Sequence, residues 1–374
     1  MKQFDIIVIG AGIGGASIAA HLSSNARVVV LEMEERAGYH TTGRSAASFE
    51  PNYGPPPMLA FTRASAGFFN EPPQGFRDGP LLLQRDSIFF MPEGQEQQAE
   101  RLLKTSAGLV EISNATARLA FPILRENYAA RSFLDANTGD IDVDLLHRGF
   151  LKLFKERGGT IVLNAQVTGL QYLANHWQLT TPQGMITAPL VVNAAGAWGD
   201  EIAKLADIKP IGLTPKRRSI GLVPLDHIEP REFAHWPAVT DVGETWYAKP
   251  QSGKLMVSSA DATPVEPHDA YADDMAIAEG VERLMNATTL EVERMDHSWG
   301  GLRTFADDGN PVIGFERNAE GFFWLVGQGG YGIQTAPALS ELAAQMVLQQ
   351  TLPQAAFDHG LDLKHILPDR FSPL

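Results

Sequence analysis

Two glycine-rich segments are the parts of this chain best suited to hold a phosphate or another negative charge. The first reads IGAGIGG over residues 9–15, and the second reads VGQGGYGIQT over residues 326–335. Gly10 suits a tight turn, Gly12 a close approach of the backbone to a pyrophosphate, and Gly15 a close helix–strand contact. Free N–H groups at a helix N-terminus attract anions, so each segment predicts a strand that turns into a helix beside a ligand.

The first glycine segment belongs to a dinucleotide-binding pattern. Continuous apolar runs predict buried strands over 4–10 and 27–32, and small apolar residues predict a helix over 13–24. Glu32 stands at the end of the second strand, 22 residues after Gly10, where its carboxylate can accept from both ribose hydroxyls. The pattern predicts a bound dinucleotide but does not distinguish a nicotinamide cofactor from a flavin.

The loop after Glu32 favours the longer cofactor. It reads RAGYHTTGRSAAS over residues 36–48, where a nicotinamide domain would continue with another helix and strand. Such a loop can wrap the rest of a flavin dinucleotide. An ordinary surface loop is the alternative interpretation.

Composition excludes several classes of function. The 374 residues suggest two domains at roughly 150 residues each, and 44% apolar residues allow a large core. The chain has no cysteine, which excludes disulfides, iron–sulfur clusters, thiolate zinc sites and a cysteine-linked flavin. A net charge of −14 disfavours nucleic acid and anionic lipid as partners.

The expected location is cytoplasmic. The apolar N-terminus contains Asp5 and several glycines, so it predicts a strand, turn and helix and not a signal peptide. No run of ~20 uncharged apolar residues predicts a transmembrane helix. Peripheral contact with an inner membrane stays open.

The middle of the chain predicts further elements of both kinds. A helix is expected over 141–159, with Asp142 or Asp144 at its N-terminus, followed by a strand over 160–167. The stretches VTGLQYL, HWQLTT and GMITAPLVV alternate as an antiparallel meander does, and LVVNAAGAWGD then leads a strand into a helix. The small residues Ala195 and Gly196 at this turn would let the backbone lie close to a flat ligand.

A strand-rich run over residues 214–262 predicts the antiparallel sheet of a second domain, with a helix over 273–289 crossing it. Residues 86–139 are expected to join this domain. The cofactor domain is therefore discontinuous, over 1–85, 140–213 and 300–374, and the substrate domain covers 86–139 and 214–299.

The motifs, taken in order, resemble one family from end to end. They are GAGIGGA with Glu32, TTGRSAAS, LVVNAAGAWGD, GLRTFADDGNPVIGF and GQGGYGIQTAP, and together they are similar to the FAD-dependent glycine/D-amino-acid oxidase (DAO) family. Within it, GYHTTGRSAA, PKRRS, GLR and EGFFWLVGQGGYGIQT are most similar to bacterial D-arginine dehydrogenases. The resemblance implies an α/β fold with a Rossmann-like FAD-binding domain of the GR2 type and an α+β substrate domain on an antiparallel sheet.

The resemblance also explains the two glycine turns, because in that family the first holds the FAD pyrophosphate and the second faces the flavin ring. A helix N-terminus there favours the negative charge of the reduced flavin. Pro337, in the first turn of that helix, also fits a simple helix start. The implied noncovalent FAD contacts are Gly10, Gly12, Gly15, Glu32, Gly43, Arg44, Ser45, Val167, Ala195, Gly196, Gly301, Arg303, Gly329, Gly330, Gly332, Ile333, Gln334 and Thr335.

Amino acids are the family's substrates, so a cation is expected to hold a carboxylate. Arg303 in GGLRTF and Arg218 in PKRRS are the implied catalytic-site cations, with Tyr53 and Tyr247 as hydroxyl donors. A guanidinium can bind a carboxylate through two parallel hydrogen bonds. The implied substrate pocket also includes Ser48, Ser87, Gly330 and Gln334.

The implied reaction is the oxidative deamination of a D-amino acid to a 2-oxo acid and ammonia, with a quinone, an electron-transfer protein or O₂ as the electron acceptor. Two alternatives stay open in the same family: oxidation of glycine or secondary amines, and dehydrogenation of a 2-hydroxy acid. A non-catalytic flavin-binding module is the alternative of another class. The ten histidines show no metal-ligand spacing, so no metal is expected, and His40 is not expected to bind flavin covalently.

Two serines set this chain apart from the D-arginine dehydrogenases. Where those relatives carry a histidine near the reacting amine and a glutamate facing the guanidinium, this chain has Ser48 and Ser87. Serine supplies neither a base near neutral pH nor a negative charge. The sequence thus predicts a preference for neutral or apolar D-amino acids, unless Glu50 or Asp86 replaces the missing acid; Asp86 is expected to point away.

Overall fold

The computed structural model describes residues 4–76 and 79–371. Its strands are β1 (Ile6–Ile9), β2 (Val28–Leu31), β3 (Ser48–Phe49), β4 (Leu82–Gln84), β5 (Ser87–Met91), β6 (Val110–Ile112), β7 (Arg131–Asp135), β8 (Gly139–Ile141), β9 (Thr160–Val162), β10 (Gly169–Leu173), β11 (His176–Thr181), β12 (Gly184–Ala188), β13 (Leu190–Asn193), β14 (Thr214–Val223), β15 (Ala238–Asp241), β16 (Tyr247–Gln251), β17 (Lys254–Ser258), β18 (Thr263–Pro264), β19 (His297–Phe305), β20 (Val312–Phe315) and β21 (Phe322–Val326). Its α-helices are α1 (Ile13–Leu22), α2 (Pro56–Asn70), α3 (Glu96–Thr105), α4 (Asn114–Ala120), α5 (Val143–Glu156), α6 (Gly199–Leu205), α7 (Pro230–Phe233), α8 (Asp274–Ala287), α9 (Gly332–Val347) and α10 (Ala355–Asp358).

A six-stranded sheet carries the predicted dinucleotide pattern. Its order is β20-β21-β13-β1-β2-β9, and all neighbours are parallel except β20 and β21. β1 and β2 are buried along their whole length, as strands covered on both faces must be. The small residues of α1 let it pack against α5 and α9. The predicted strand–helix–strand unit is confirmed.

The parallel strands bring three turns to one edge of this sheet. β1 ends at the first glycine segment, β2 ends at Glu32, and β13 ends at the Ala195–Gly196 turn. The carboxyl ends of parallel strands are where α/β sheets bind ligands. The second glycine segment follows β21, which lies beside β13 in the same sheet.

The second large sheet has nine strands, in the order β18-β14-β17-β16-β15-β5-β7-β6, with β19 paired along β14. The sequence predicts an antiparallel sheet. All strand pairs of this sheet are antiparallel except one, because β5 runs parallel to β15. β5 comes from a distant part of the chain, so no tight hairpin fixes its direction relative to β15. The sheet is therefore mixed.

The predicted meander forms a separate three-stranded sheet of β10, β11 and β12. The stretch GMITAPLVV divides at Pro189 into β12 and β13, and β13 joins the six-stranded sheet. Proline lacks the N–H group that would continue the ladder. A second three-stranded sheet, β3-β8-β4, contains the segment after the TTGRS loop and the strands next to β5 and β7 of the nine-stranded sheet.

β19 crosses the predicted domain boundary at residue 300. Its nine residues all pair with β14 in the nine-stranded sheet, including Gly301 and Arg303. The strand also contacts the second glycine segment, since the Gly329 N–H donates to the Thr304 carbonyl at 2.9 Å. The two-domain division remains our proposal, with β19 as the element shared between its parts.

α9 begins at Gly332, which places Pro337 inside the helix and corrects the expectation that it lies in the first turn. The next residue, Ala338, donates its N–H to the Ser65 hydroxyl at 3.1 Å, so the helix is tied to α2 beside the proline. In the described part of the chain, no helix combines the length and apolar character needed to cross a bilayer.

Candidate active site

A cavity of about 570 Å³ lies between the six-stranded and nine-stranded sheets. Its wall includes residues of the first glycine segment, the TTGRS loop, the Ala195–Gly196 turn and the second glycine segment. Strands β14, β15, β16 and β19 supply the opposite wall. One continuous cavity thus joins the predicted cofactor residues to the predicted substrate residues.

The first glycine turn is shaped for close backbone packing. A Cβ atom at Gly10, whose φ is +99°, would lie 2.6 Å from the Ala194 carbonyl oxygen, so only glycine fits there. A Cβ at Gly15 would lie 1.9 Å from the Gly10 carbonyl oxygen. The N-cap residue of α1, Gly12, has no side chain to cap the helix, and the first turn has no acidic residue. This N-terminus therefore suits an anion, although the Ile13 N–H already donates to the Thr42 hydroxyl.

Glu32 lies against this turn. Its carboxylate accepts from the Ala11 N–H at 2.8 Å and from the Glu34 N–H at 3.1 Å. Burial raises the pKa of Glu32, and these two hydrogen bonds oppose that effect. A ribose diol at this position would supply further donors to the same carboxylate.

The TTGRS loop is fixed to the second large sheet. The Arg44 guanidinium donates to Asp269 at 2.5 Å and to the Ala270 carbonyl at 2.7 Å, and the Thr41 hydroxyl donates to the Leu302 carbonyl at 2.7 Å. Arg44 lines the cavity, but its guanidinium is used to hold the loop. Thr42, which the sequence did not single out, accepts from the Ile13 N–H at 2.9 Å and so joins the loop to the first turn.

The second glycine turn lies against β19. A Cβ at Gly329 would lie 2.3 Å from the Phe305 ring, and one at Gly330 would lie 2.7 Å from Cζ of Arg303. The N-terminus of α9 has no side-chain cap and no acid in its first turn. The side-chain nitrogen of Gln334 is buried and has no hydrogen-bond partner among the described residues. These features leave donors for a ligand at this end of the cavity.

Most predicted site residues line the cavity, and three do not. Gly15 packs behind the first glycine turn, and Gly43 is an exposed residue whose N–H donates to the Gly38 carbonyl at 2.9 Å. The Thr335 hydroxyl donates to the Tyr331 carbonyl at 2.9 Å within α9. The predicted residues on the wall are Gly10, Gly12, Glu32, Arg44, Ser45, Ser48, Tyr53, Ser87, Val167, Ala195, Gly196, Arg218, Tyr247, Gly301, Arg303, Gly329, Gly330, Gly332, Ile333 and Gln334.

Arg218 and Arg303 reach the cavity from the paired strands β14 and β19. Arg218 lies opposite Gly301 in the register, and its Nε donates to the Asp261 carbonyl at 2.7 Å. The Arg218 guanidinium lies 5.8 Å from the centre of the Tyr247 ring. The buried Tyr247 hydroxyl has no hydrogen-bond partner among the described residues. A phenol close to Arg218 and electrostatically coupled to Arg303 fits an anionic ligand.

Aromatic and acidic neighbours surround Arg303. Burial acts to lower its pKa, but the phenols of Tyr53 and Tyr247 outweigh this and the pKa is raised. The Tyr53 ring lies 5.1 Å from the ring of Tyr331. Glu244, which the sequence did not single out, lines the same region; desolvation raises its pKa, and the guanidiniums of Arg218 and Arg303 oppose this.

A polar group of side chains forms another part of the wall. The Ser87 hydroxyl donates to Oε1 of Glu50 at 3.0 Å, and the Lys249 ammonium donates to Asp140 at 2.6 Å and to Ser48 at 3.4 Å. Lys249 is the main residue that the sequence reasoning missed. Strand alternation is the signal that could have found it, since Lys249 lies two residues after Tyr247 on the same face.

The electrostatics of this polar group differ from those of the arginines. Burial raises the pKa of Glu50 to about 8; Asp135 and Asp140 act in the same direction, and Ser87 and Lys249 oppose it. Asp86 is exposed and does not line the cavity, in line with the expectation that it points away. Among residues 4–76 and 79–371, no group of three or more potential ligands is placed to hold a metal ion.

Comparison with known proteins identifies the family. A family model described as "FAD dependent oxidoreductase" (DAO) matches residues 5–346, so the chain belongs to the DAO family of FAD-dependent oxidoreductases. Glycine oxidase of Bacillus licheniformis is 24% identical over 367 residues, which cover 93% of this chain and 94% of that protein. FAD is therefore the cofactor.

Solved structures agree in fold. L-proline dehydrogenase from P. horikoshii has a TM-score of 0.83 at 20% identity, over 99% of this chain and 98% of that one. L-α-glycerophosphate oxidase from Mycoplasma pneumoniae, with FAD bound, has a TM-score of 0.81 at 18% identity, over 94% of this chain and 96% of that one. The mixed α/β fold is that of FAD-binding proteins in this family.

Proposed function

We propose that the protein catalyses the FAD-dependent oxidative deamination of D-amino acids to 2-oxo acids and ammonia. The observation that carries this proposal is the convergence of Arg218, Arg303 and the Tyr247 hydroxyl on one cavity with the cofactor turns. That hydroxyl has no hydrogen-bond partner within the described ranges. Two guanidiniums and a phenol match an α-carboxylate. The D configuration is supported by the motif resemblance to the D-arginine dehydrogenases.

The cofactor half of the cavity is proposed to hold FAD without a covalent bond. The first glycine turn and Glu32 would hold the pyrophosphate and ribose, and Val167 would lie beside the adenine. The second turn and the N-terminus of α9 would face the ring and favour negative charge there. Bound FAD supplies a two-electron acceptor for the hydride leaving Cα of the substrate.

The protein's own residues are proposed to orient the substrate. Arg303 and Arg218 bind its carboxylate, and Tyr247 donates a third hydrogen bond, which fixes Cα relative to the cofactor. The imino acid formed is then hydrolysed by water. Electrons leave through a quinone, an electron-transfer protein or O₂. We expect a cytoplasmic protein, with peripheral contact at the inner membrane as the alternative.

A second candidate function follows from the relatives. Glycine oxidase and L-proline dehydrogenase are, by name, enzymes of other amino acids, and the same carboxylate-binding group would serve glycine, a secondary amine or a 2-hydroxy acid. A flavin-binding module without turnover would have no need of two arginines directed into the cavity. The flavin-binding module therefore has less support than either enzyme activity.

The test is anaerobic reduction of the bound flavin, followed by its visible absorbance. Separate cells receive D-amino acids, the matching L-amino acids, glycine, sarcosine, proline and lactate. We expect fast bleaching with at least one D-amino acid and none with its L enantiomer. Faster bleaching by glycine, a secondary amine or lactate would replace the proposal with the second candidate, and no bleaching by any of them would contradict both.

A further inference from the structure

Two rows of side chains form the floor of the substrate half of the cavity. Strand registers align Thr240 with both Tyr247 and Phe89, and Ala238 with Ser87. Continuing the antiparallel pairing of Val239 with Ala248 places Lys249 beside Ala238. The proximal row is Phe89, Thr240 and Tyr247, and the distal row is Ser87, Ala238 and Lys249; all six line the cavity.

The proximal row adjoins the proposed carboxylate site, and the distal row lies further along the cavity. Residues two apart on a strand lie on the same face about 7 Å from each other. Tyr247 of the proximal row lies against Arg218, where the substrate carboxylate is proposed to bind. The distal row is thus displaced from the carboxylate site by about the length of a substrate side chain. Its middle residue, Ala238, is small and leaves space between Ser87 and Lys249.

Glu50 lies over the distal row with one oxygen unused. Oε1 accepts from the Ser87 hydroxyl, and Oε2 has no hydrogen-bond partner in the described part of the chain. The backbone is fixed, because the Glu50 N–H donates to Oε1 of Gln334 at 2.8 Å. Glu50 is therefore a carboxyl group held rigidly at the cavity wall, with an acceptor atom available to a ligand.

The neighbouring cation is already paired. Lys249 is only 2% exposed and donates to Asp140, which also accepts from Arg85 Nε at 2.5 Å. One carboxylate thus holds two cations, and the Lys249 ammonium has little reach for an anionic side chain. Among the described residues Glu50 forms no ion pair, and Lys249 acts on it only from a distance.

We infer that Glu50 binds the side chain of the substrate, and that the preferred side chain carries a positively charged hydrogen-bond donor such as a guanidinium or an ammonium. The inference rests on the proposed function, since it requires an amino acid held by the arginines. It reverses the expectation drawn from Ser87, because the acid absent at position 87 is supplied by Glu50, whose carboxyl group accepts from the Ser87 hydroxyl.

The inference has a pH signature, because burial holds the pKa of Glu50 at about 8. The groups that face Glu50 are Ser87 and Asp135, from β5 and β7, and Lys249 and Asp140, from β16 and β8. A cationic side chain is bound by the ionised form only. Its binding therefore strengthens as pH rises towards 8 and becomes constant above that value.

The test compares D-arginine with D-citrulline, which has the same shape and no charge. In the FAD-loaded protein, the ratio of their kcat/KM values should rise about fiftyfold between pH 6 and pH 8 and then level off. The ratio cancels titrations that both substrates share. Glu50→Gln should lower the ratio and remove its pH dependence, whereas Asp86→Asn, an acid next to Ser87 but outside the cavity, should behave like the parent.

A binding experiment tests the same point without turnover. 5-Guanidinopentanoate lacks the α-amine and cannot be oxidised, and 5-ureidopentanoate is its neutral counterpart. Calorimetry at pH 7 in buffers of different ionisation enthalpy should show nearly one proton released with the guanidino ligand. Neither the ureido ligand with the parent nor the guanidino ligand with Glu50→Gln should release one.

Three outcomes would overturn the inference. They are a ratio that does not change with pH in the parent, proton release that survives in Glu50→Gln, and an equal loss of activity towards both substrates in that variant. The last would place Glu50 at the reacting amine. Failure of the proposed function is distinguishable, because then no D-amino acid bleaches the flavin while the binding experiment still reports on Glu50.

Discussion

At the scale of single residues, the carboxylate-binding arginine is the sharpest point to test. Replacing Arg303 with methionine keeps the side-chain bulk but removes a charge-assisted pair worth ~3 kcal/mol. At ~1.4 kcal/mol per tenfold change, we expect kcat/KM for the best amino acid to fall about a hundredfold or more. Steady-state kinetics measure this fall. The ratio of flavin to protein absorbance checks that the variant still binds FAD, as we expect.

A matched variant serves as control. Arg217→Met removes an arginine from β14 that pairs with Asp273 at 2.8 Å and does not line the cavity. It should keep kcat/KM close to the parent value. If Arg303→Met turned over the substrate as well as Arg217→Met does, the carboxylate would have to bind elsewhere.

Glu50 also has a consequence for stability. Its pKa is about 8 in the folded protein, above the usual value of a glutamate, so the folded state binds more protons than the unfolded state between those two values. Stability contributed by this group therefore falls as pH rises through that range. We expect Glu50→Gln to raise the Tm relative to the parent at pH 9 but not at pH 4. An equal Tm difference at both pH values would contradict the shifted pKa.

The sequence predicted the site residues that stand in recognisable motifs. It missed residues that reach the cavity through the pairing of distant strands. Glu32, Arg218 and Arg303 stand in recognisable local patterns. Lys249 could have been found from its strand face, which it shares with Tyr247. Glu244 lines the cavity because the loop between β15 and β16 lies beside distant strands, and no local pattern specifies that neighbourhood. Arg44 holds the TTGRS loop through Asp269, which lies 225 residues further along the chain, so this role was not predictable either.

At the scale of elements, the contact between α1 and β1 depends on one glycine. A Cβ at Gly15 would lie 1.9 Å from the Gly10 carbonyl oxygen. Gly15→Ala must therefore push the helix from the first turn, and we expect a lower Tm and weaker FAD binding. Thermal unfolding and FAD titration of the apoprotein measure both.

The matched control is Gly67→Ala in α2. No atom of residues 4–76 and 79–371 lies within 4 Å of a Cβ at Gly67, so the change should stabilise the helix by about 0.5–1 kcal/mol. FAD binding should not change. If Gly67→Ala destabilised the protein as much as Gly15→Ala does, the effect of Gly15 could not be assigned to the clash with the first turn.

Elements with strong periodicity were predictable, and strand partners were not. The helix expected over 141–159 is α5, with Asp142 as its N-cap accepting from the Leu145 N–H at 2.9 Å. The parallel pairing of β5 with β15 has no sequence signal, because it joins residues 151 positions apart, such as Ser87 and Ala238. Pro337 inside α9 is tolerated where Ser65 binds the neighbouring N–H, a partner that only tertiary structure supplies.

At the scale of the whole molecule, the cofactor is expected to act as a structural link. The cavity wall combines both large sheets, so bound FAD would contact both. A ligand bound only by the folded state stabilises it by mass action, about 2.7 kcal/mol at a hundredfold excess over Kd. Removing FAD should therefore lower the Tm, and adding it back should restore the value. An apoprotein with the Tm of the holoprotein would contradict this.

The same preparation tests the mode of attachment. Acid precipitation should release the flavin into the supernatant, because the chain has no cysteine and the His40 ring is engaged with Glu34 at 2.8 Å. Absorbance of the supernatant and pellet measures the distribution. Flavin retained on the washed pellet would show a covalent bond.

The separation of the cavity floor into two rows bears on how such proteins diversify. The proximal row adjoins the carboxylate site, whereas the distal row of Ser87, Ala238 and Lys249 adjoins the proposed side-chain site. After gene duplication, point substitutions in the distal row would change which substrate side chain is preferred. The proximal row and the oxidative chemistry would stay unchanged. A library randomised at Ser87 and Ala238 should hence contain many more active members than one of equal size at Thr240 and Tyr247.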